Sequence, residues 1–288
     1  MLEARVGVIG GTGLYDLDGL RNVREVWPET PFGATSDSIL VGELQGVAVA
    51  FMPRHGRGHR LNPTEVPSRA NVYAFKTLGV ERLISVGAVG SLAEEVRPLD
   101  LVTPTQLIDR TFGRPATFFE DGVVAHISFA DPFCPHLGGL VATAAQAAGA
   151  TLHQTGTYLV MEGPAFSTRA ESAMYRSWGA TIIGMTALPE AKLAREAEMC
   201  YTFIASVTDY DVWRPGHDDV TVDLILGNLR RNVEVSKRVL QQLIPAIPKE
   251  RHCACGSALK DAIATAPQYV KPEAKQRLAP LLQKYART

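Results

Sequence analysis

Four short stretches of the chain hold side chains that could do chemistry together. In FIASVTDYDVW a strand-like run over 203–207 ends in Thr208, Asp209, Tyr210 and Asp211. Two carboxylates two residues apart at a strand end can face one concave site, and like charges so close raise each other's pKa. One then keeps a proton near neutrality and can donate to a ring nitrogen. The ionised one can accept from an amino group. An acidic surface loop would look the same in sequence.

In VAVAFMPRHGRGHR a second run, 47–52, leads to Arg54, His55, Arg57 and His59. A guanidinium is a planar fork of donors that fits two phosphate oxygens, and a histidine beside it adds a donor whose charge depends on pH. In RVGVIGGTGLYD a third run, 6–9, stops at Gly10-Gly11-Thr12-Gly13. The dinucleotide fingerprint needs a third glycine where Asp16 stands, and a P-loop needs a Lys that does not follow. What remains is a turn whose N–H groups and Thr12 hydroxyl grip one small anion, or a plain structural turn. The fourth stretch runs from EGPAFSTRAES to GMTALPE. Ser167 or Thr168 can cap the helix that follows, with Glu171 near N3. Thr186 can cap the next helix or add a hydroxyl to an anion site. Met185 fits the core or the floor of a sugar pocket, and spacing alone favours core.

These residues need elements to carry them. Strand patterns fall at 6–9, 39–44, 47–52, 82–86, 100–104, 157–161, 181–184 and 203–207, and helical patterns at 63–78, 137–148, 169–178, 188–198 and 221–243. Strands alternating with helices argue an α/β sheet covered on both faces. Ligands of such sheets gather at the carboxyl ends of strands, which is where the first three stretches lie. Composition shifts near 244–248, and the remainder reads as two short amphipathic helices. The division expected is 1–245 for the catalytic domain and 246–288 for a C-terminal helical appendage.

Charge and hydropathy remove whole classes. With 29 basic and 30 acidic residues the net charge is −1, so no basic field for nucleic acid is expected. No apolar run reaches the ~18 residues of a membrane span, and the N-terminus shows no signal-peptide pattern. A cytoplasmic protein is expected. Cys134, Cys200, Cys253 and Cys255 lack the paired spacing of a zinc site. The C-x-C pair could close as a strained disulfide, but ordinary thiols are the expectation in a reducing cytosol.

The segments GVIGGTGL, TPFGATSD, RHGRGH, VGAVGSL, IDRTFGRP, DPFCP, EGPAFSTRAES, GMTALPEAKLAREA and TDYDVW occur together and in order from residue 6 to about 230. In them the chain resembles the trimeric purine nucleoside phosphorylases, and within that family the branch acting on 5′-thiomethyl adenine nucleosides. The resemblance implies one α/β domain around a mixed, barrel-like β-sheet flanked by helices. It implies phosphorolysis to adenine and a ribose 1-phosphate in purine and methionine salvage. Inorganic phosphate is then the co-substrate, with no metal and no organic cofactor, and the assembly a homotrimer or a dimer of trimers.

Carried over by position, Thr12, Arg54, His55, Gly87, Ala88 and Thr186 would hold phosphate. Phe166, Ser167 and Met185 would meet the ribose and purine. Asp209 would face purine N7 and the 6-amino group as the general acid, supported by Tyr210 and Asp211. Val222, Ile225 and Leu226 would wall the 5′ pocket, and His126 would reach the neighbouring subunit's pocket. The C-x-C resembles that of relatives in which it forms a disulfide.

Three positions depart from the family pattern: Gly87 stands for Thr, Gly184 for Asn and Ala165 for Arg. They bear on affinity and substrate range. Other readings are a 6-oxopurine phosphorylase, which would prefer Asn at 209, a purine-binding protein without turnover, and a dinucleotide-dependent oxidoreductase.

Overall fold

The computed structural model describes residues 4–214 and 222–285, with side chains of 222–226 left out. Eleven strands and seven helices appear among the described residues. The strands are β1 (Val6–Gly10), β2 (Arg21–Val26), β3 (Ile39–Leu44), β4 (Val47–Pro53), β5 (Arg82–Ser91), β6 (Leu101–Val102), β7 (Gln106–Arg110), β8 (Leu152–His153), β9 (Thr157–Met161), β10 (Ile182–Gly184) and β11 (Cys200–Asp209). The helices are α1 (Ser68–Thr77), α2 (Pro135–Ala147), α3 (Arg169–Ser177), α4 (Ala187–Glu196), α5 (Val222–Ala246), α6 (Pro272–Arg277) and α7 (Ala279–Leu282).

One mixed sheet runs β2-β3-β4-β1-β5-β10-β9-β7, and β11 joins β5 to β6 and β8. The pivot is β5. It pairs parallel with β1 through residues 82–85 and with β11 along almost its whole length. Its last residues pair antiparallel with β10, Ile183 opposite Gly90. A strand with three partners curls the sheet on itself, which gives the mixed, helix-flanked α/β architecture expected. Because β4, β1, β5 and β11 are parallel, their carboxyl ends open on one side. The antiparallel β10 brings Met185 and Thr186 back to the same place.

Strand β5 is longer than its sequence pattern because Gly87 and Gly90 continue it. A Cβ on Gly87 would sit 2.7 Å from Phe203 Cζ, and one on Gly90 would sit 2.9 Å from Asp209 Oδ1. These glycines mark close approach of β11, not a turn. Helix α1 starts five residues later than its pattern, since Pro67 is its N-cap and Pro lacks the N–H a helix interior needs. The freed residues 63–66 form a turn beside the site, closed by Glu65 N–H donating to the Asn62 carbonyl at 3.1 Å. Helix α3 begins as expected: the Thr168 side chain accepts from Glu171 N–H, and the Glu171 carboxylate accepts from Thr168 N–H.

The C-terminal segment forms short turns at Ala254–Ser257 and Pro267–Tyr269 before α6 and α7. Leu259, Leu278 and Leu281 are buried in the same apolar cluster as Phe75, Val89 and Phe203. Tyr73 donates to the Arg277 carbonyl at 3.0 Å. The segment therefore completes the main core. Its cysteines return to the sheet as well: all four cysteines are free thiols, and their Sγ atoms lie within 4.8 Å of one another. Spacing along the chain gives no sign of this, because α2, β9, α3 and α4 lie between the first two.

If the C-terminal segment is core, a deletion there should cost as much as one in the sheet. Leu278→Ala is expected to lower unfolding stability by about 2–5 kcal/mol, read from urea melts. A loss under about 0.5 kcal/mol, the size of a surface change, would make the segment peripheral.

Candidate active site

A cavity of about 490 Å³ opens where the carboxyl ends of β1, β4, β5, β10 and β11 meet. Thr12, Arg54, His55, Gly87, Ala88, Phe166, Met185, Thr186, Asp209 and Asp211 all line it. At one end it is built for an anion. Thr12 and Thr186 are half-buried hydroxyls facing it. Thr186 precedes α4 and makes no side-chain cap bond; Leu188, between it and the regular helix, is extended (φ −116°, ψ 140°), so the Thr186 hydroxyl faces the cavity without serving as a helix cap.

Arg54 behaves differently from the sequence expectation of a fork open to phosphate. It is 1% exposed. Its Nε donates to Glu190 Oε1 at 2.5 Å and its Nη2 to Oε2 at 3.2 Å, while Nη1 donates to the Val86 carbonyl at 3.0 Å. The carboxylate that takes the fork is protein, from α4. Ser85 and Tyr201 hydroxyls donate to the same carboxylate at 2.6 and 3.1 Å.

His55 also differs. Burial, and next the Arg54 charge, push its pKa down to about 3, so it is neutral at physiological pH. Its Nδ1 lies 2.8 Å from the Leu61 carbonyl, which can only accept. The proton is therefore on Nδ1, and Nε2 offers a lone pair, not a second donor.

At the other end are the two carboxylates. Asp209 Oδ2 accepts from Thr208 Oγ1 at 2.6 Å and Oδ1 from Asp211 N–H at 2.8 Å. Burial still raises the Asp209 pKa above the ordinary carboxylate value, with Asp211 a smaller push the same way. Burial raises Asp211 too, against the nearby Ser172 and Ser167 hydroxyls. No hydrogen bond reaches Asp211 Oδ2, which is buried without a partner. Asp211 lines the cavity, so a small shift of this carboxyl would present an unsatisfied acceptor to a ligand donor.

Between the two ends the walls are apolar, with Val89, Met161, Ile183, Met185, Phe166 and Leu229. Phe166 is 44% exposed and forms the rim. Arg114, from the IDRTFGRP stretch, fixes the Met185 wall. Its guanidinium donates to the Met185, Leu188 and Glu162 carbonyls and pairs with the Glu162 carboxylate at 3.4 Å. The sequence offered the residue only as part of a family pattern. Neither its positioning role nor that of Glu190 has a local signal, since each partner lies far along the chain.

The structure does not bring every expected residue here. Tyr210 does not line the cavity; its ring packs edge-on against Trp213 at 5.8 Å with Arg214 over it at 4.2 Å. Ser167 is buried behind the wall, 3.7 Å from Met161 Sδ. His126 is exposed, outside the cavity, its N–H on the Ala262 carbonyl at 2.8 Å; it is not a core histidine. The side chains of Val222, Ile225 and Leu226 lie outside the described residues. His59, noted in the sequence, lines the cavity, and so do Arg60, Asn62 and Glu65 beyond the expectation. These three directly follow RHGRGH, so the polar turn at 60–65 is the signal that could have found them.

Two family departures have a steric reason. A Cβ on Gly184 would lie 2.4 Å from the Tyr158 hydroxyl, so that ring occupies the space of a side chain at 184. Phe203 does the same at Gly87, where the Cβ would also stand 3.4 Å from Thr186 Oγ1.

The sequence profile of the phosphorylase superfamily matches residues 5–245, and the chain belongs to that family. It is 55% identical to the S-methyl-5′-thioadenosine phosphorylase of Geobacter sulfurreducens, over 99% of this chain and all of that protein. It is 55% identical to the S-methyl-5′-thioadenosine phosphorylase of Chloroflexus aurantiacus, over 99% of each. A crystal structure of a methylthioadenosine phosphorylase from an Antarctic soil metagenomic library superposes with a TM-score of 0.93. It shares 49% identity, covering 98% of this chain and 100% of that one.

Two predictions follow from the geometry. Gly87→Thr should not simply add a phosphate-binding hydroxyl, since overpacking against Phe203 costs about 1–3 kcal/mol. Lower stability is expected, with at least half recovered when Phe203→Val is combined with it. Equal stability of Gly87→Thr and wild type would show that Phe203 yields freely. The second concerns Asp209. Its raised pKa means the native chain holds the proton to higher pH than the unfolded chain. The cost of the buried charge therefore appears as pH rises through that pKa and vanishes as pH falls. Asp209→Asn removes this titration. The melting temperature of the variant minus that of wild type should be more positive at pH 8 than at pH 3.8, the ordinary carboxylate value. A difference independent of pH would mean Asp209 is not ionising at a cost.

Proposed function

We infer that the chain catalyses phosphorolysis of S-methyl-5′-thioadenosine, giving adenine and 5-methylthioribose 1-phosphate for purine and methionine salvage. The observation that carries this is one cavity with hydroxyls for an anion at one end, buried carboxyls at the other and apolar walls between. The identity to the two bacterial phosphorylases along their full length supports the substrate. Inorganic phosphate is the co-substrate, and the reaction calls for no metal or organic cofactor.

Breaking the ribose–purine bond develops positive charge at C1′ and negative charge on the purine. Phosphate at Thr12, His55, Ala88 and Thr186 sets anionic oxygens against C1′, which stabilise the cation and then capture it. Arg54 acts from behind, holding the floor of that site with Glu190. Asp209 in its protonated form donates to purine N7 as the base departs. The open Asp211 Oδ2 suits acceptance from the 6-amino group, or support of Asp209. Met185 and Phe166 meet the ribose and purine. Val222, Ile225 and Leu226 are assigned to the 5′-thiomethyl pocket, and His126 to a neighbour's pocket in a trimer or dimer of trimers. The exposure of His126 suits a role outside its own cavity.

The test is release of free base from S-methyl-5′-thioadenosine, adenosine, inosine and guanosine, with and without phosphate. Adenine release that requires phosphate and is fastest from the thiomethyl nucleoside is expected. Binding without release would make the chain a purine-binding protein. Loss of a general acid costs about 10²–10⁴-fold, so Asp209→Asn should lower kcat on the thiomethyl nucleoside by that order. The inosine-to-adenosine rate ratio should rise at the same time. An unchanged ratio would remove Asp209 from base recognition.

A further inference from the structure

The fold gathers four thiols that the reaction above does not use. Cys134 precedes α2, Cys200 opens β11, and Cys253 and Cys255 flank the first residue of the Ala254–Ser257 turn. Cys134, Cys200 and Cys255 are buried, and Cys253 is half-buried. We propose that these four cysteines bind one structural Zn²⁺ per chain, fastening the C-terminal segment to the sheet.

Geometry carries the assignment. Tetrahedral zinc with Zn–S bonds of about 2.3 Å places its sulfurs about 3.8 Å apart. Here the nearest pair, Cys200 and Cys253, is 3.3 Å apart, and no pair exceeds 4.8 Å. The values bracket that spacing, and each of the four sulfurs lies within 4.8 Å of the other three. A cage this small fits one ion, not a multi-iron cluster. Four soft sulfur ligands with no place for water select zinc and close the site, as in structural and not catalytic centres. The C-x-C ligands reach one ion because the short turn at 254–257 brings Cys255 back beside Cys253.

The surroundings suit the charge. Zinc with four thiolates carries −2. Arg82, with its side chain 4% exposed, and Arg251 border the same small cavity as Cys200 and Cys253; they share one carboxylate, Glu81, which leaves a net positive charge beside the sulfurs. Arg82 also donates to the carbonyls of Pro248, Lys249 and Glu250 at 2.8, 3.1 and 2.9 Å, fixing the approach of the C-terminal segment. Leu137 N–H, at the start of α2, points at Cys134 Sγ at 3.5 Å. Binding is not a redox step: each thiol gives up its proton to solvent as its sulfur bonds the ion. The competing use of the same thiols is two disulfides, which would need an oxidant accepting two electrons per bond.

The site has no part in phosphorolysis. Cys200 and Asp209 are the two ends of β11, and nine steps of about 3.3 Å put them roughly 30 Å apart. Metal content can therefore be read whatever the substrate proves to be.

The test uses the full chain purified without chelator. Elemental analysis should give about one zinc per chain. The denatured chain should show four free thiols, and they should resist alkylation in the native protein until zinc is stripped. Metal-free protein titrated with Co²⁺ should develop thiolate-to-metal charge-transfer absorption that saturates at one equivalent. Cys253→Ser with Cys255→Ser should abolish that saturation. If the double variant fails to fold, the wild-type stoichiometry still decides. Zinc below about a tenth per chain overturns the proposal. So does an intact mass showing two disulfides, or four thiols alkylated at the same rate with and without added Zn²⁺.

Discussion

The buried pair of Arg54 and Glu190 is the contact on which the site depends. A guanidinium at 1% exposure is tolerable only with its charge answered and its donors satisfied. Glu190 answers the charge, and Ser85, Tyr201 and the Val86 carbonyl complete the network. Those partners come from the end of β4, the middle of β5, the start of β11 and helix α4. One ion pair thus ties together the elements whose termini form the anion end of the cavity. Removing one partner of such a pair leaves a buried charge and costs about 3–5 kcal/mol, so the network is held by the fold as much as it holds the site.

Close packing sets the second constraint. Strand β5 lies against β1, β10 and β11, and it can do so only where its neighbours meet no side chain. Gly87 and Gly90 give that clearance to Phe203 and Asp209. Tyr158 and Phe203 stand edge to face at 5.2 Å beneath them. Phe203 thus lies against Gly87 and Tyr158 against Gly184, so a side chain at either glycine would press on the same aromatic pair.

How much of this was legible in the sequence depends on the range of each interaction. Strands β1, β3 and β4 are continuous apolar runs, and the α3 cap lies within four residues, so local pattern suffices. Strands β2 and β7 escaped, because an edge strand reading RNVREV or QLIDR has too little apolar alternation. The expected strand stopped at 86, before the glycines of β5, since Phe203 and Asp209, which require them, are more than a hundred residues away. Arg54, His55 and Thr186 were found by residue type beside a strand end. Their partners Glu190 and Leu61 were not, and with them went the protonation state of His55 and the occupancy of the Arg54 fork. Tyr210 was drawn in by adjacency, although side chains on a strand alternate and its neighbours on either side face the cavity. The four cysteines are the extreme case: only the closed sheet and the returning C-terminal segment make them neighbours.

The charge of the site follows from the same contacts. Arg54 is neutralised by Glu190, Arg60 lies 4.0 Å from Asp37, and His55 is neutral. In the proposed reaction phosphate would therefore be anchored mainly by the Thr12 and Thr186 hydroxyls and backbone N–H groups. Such donors fix the anion without cancelling its charge. A free cation against the same oxygens would tighten binding but weaken their attraction for C1′ as positive charge develops there. Interactions that bind ground and transition states equally do not speed the chemical step. In the same proposal His55 Nε2, as an acceptor, would favour a phosphate that still carries one proton. At the far end the sign is reversed. Burial raises the pKa of both Asp209 and Asp211, which disfavours negative charge there. In the proposed reaction the cavity would thus withhold positive charge where the nucleophile must stay negative, and disfavour negative charge where the base departs as an anion.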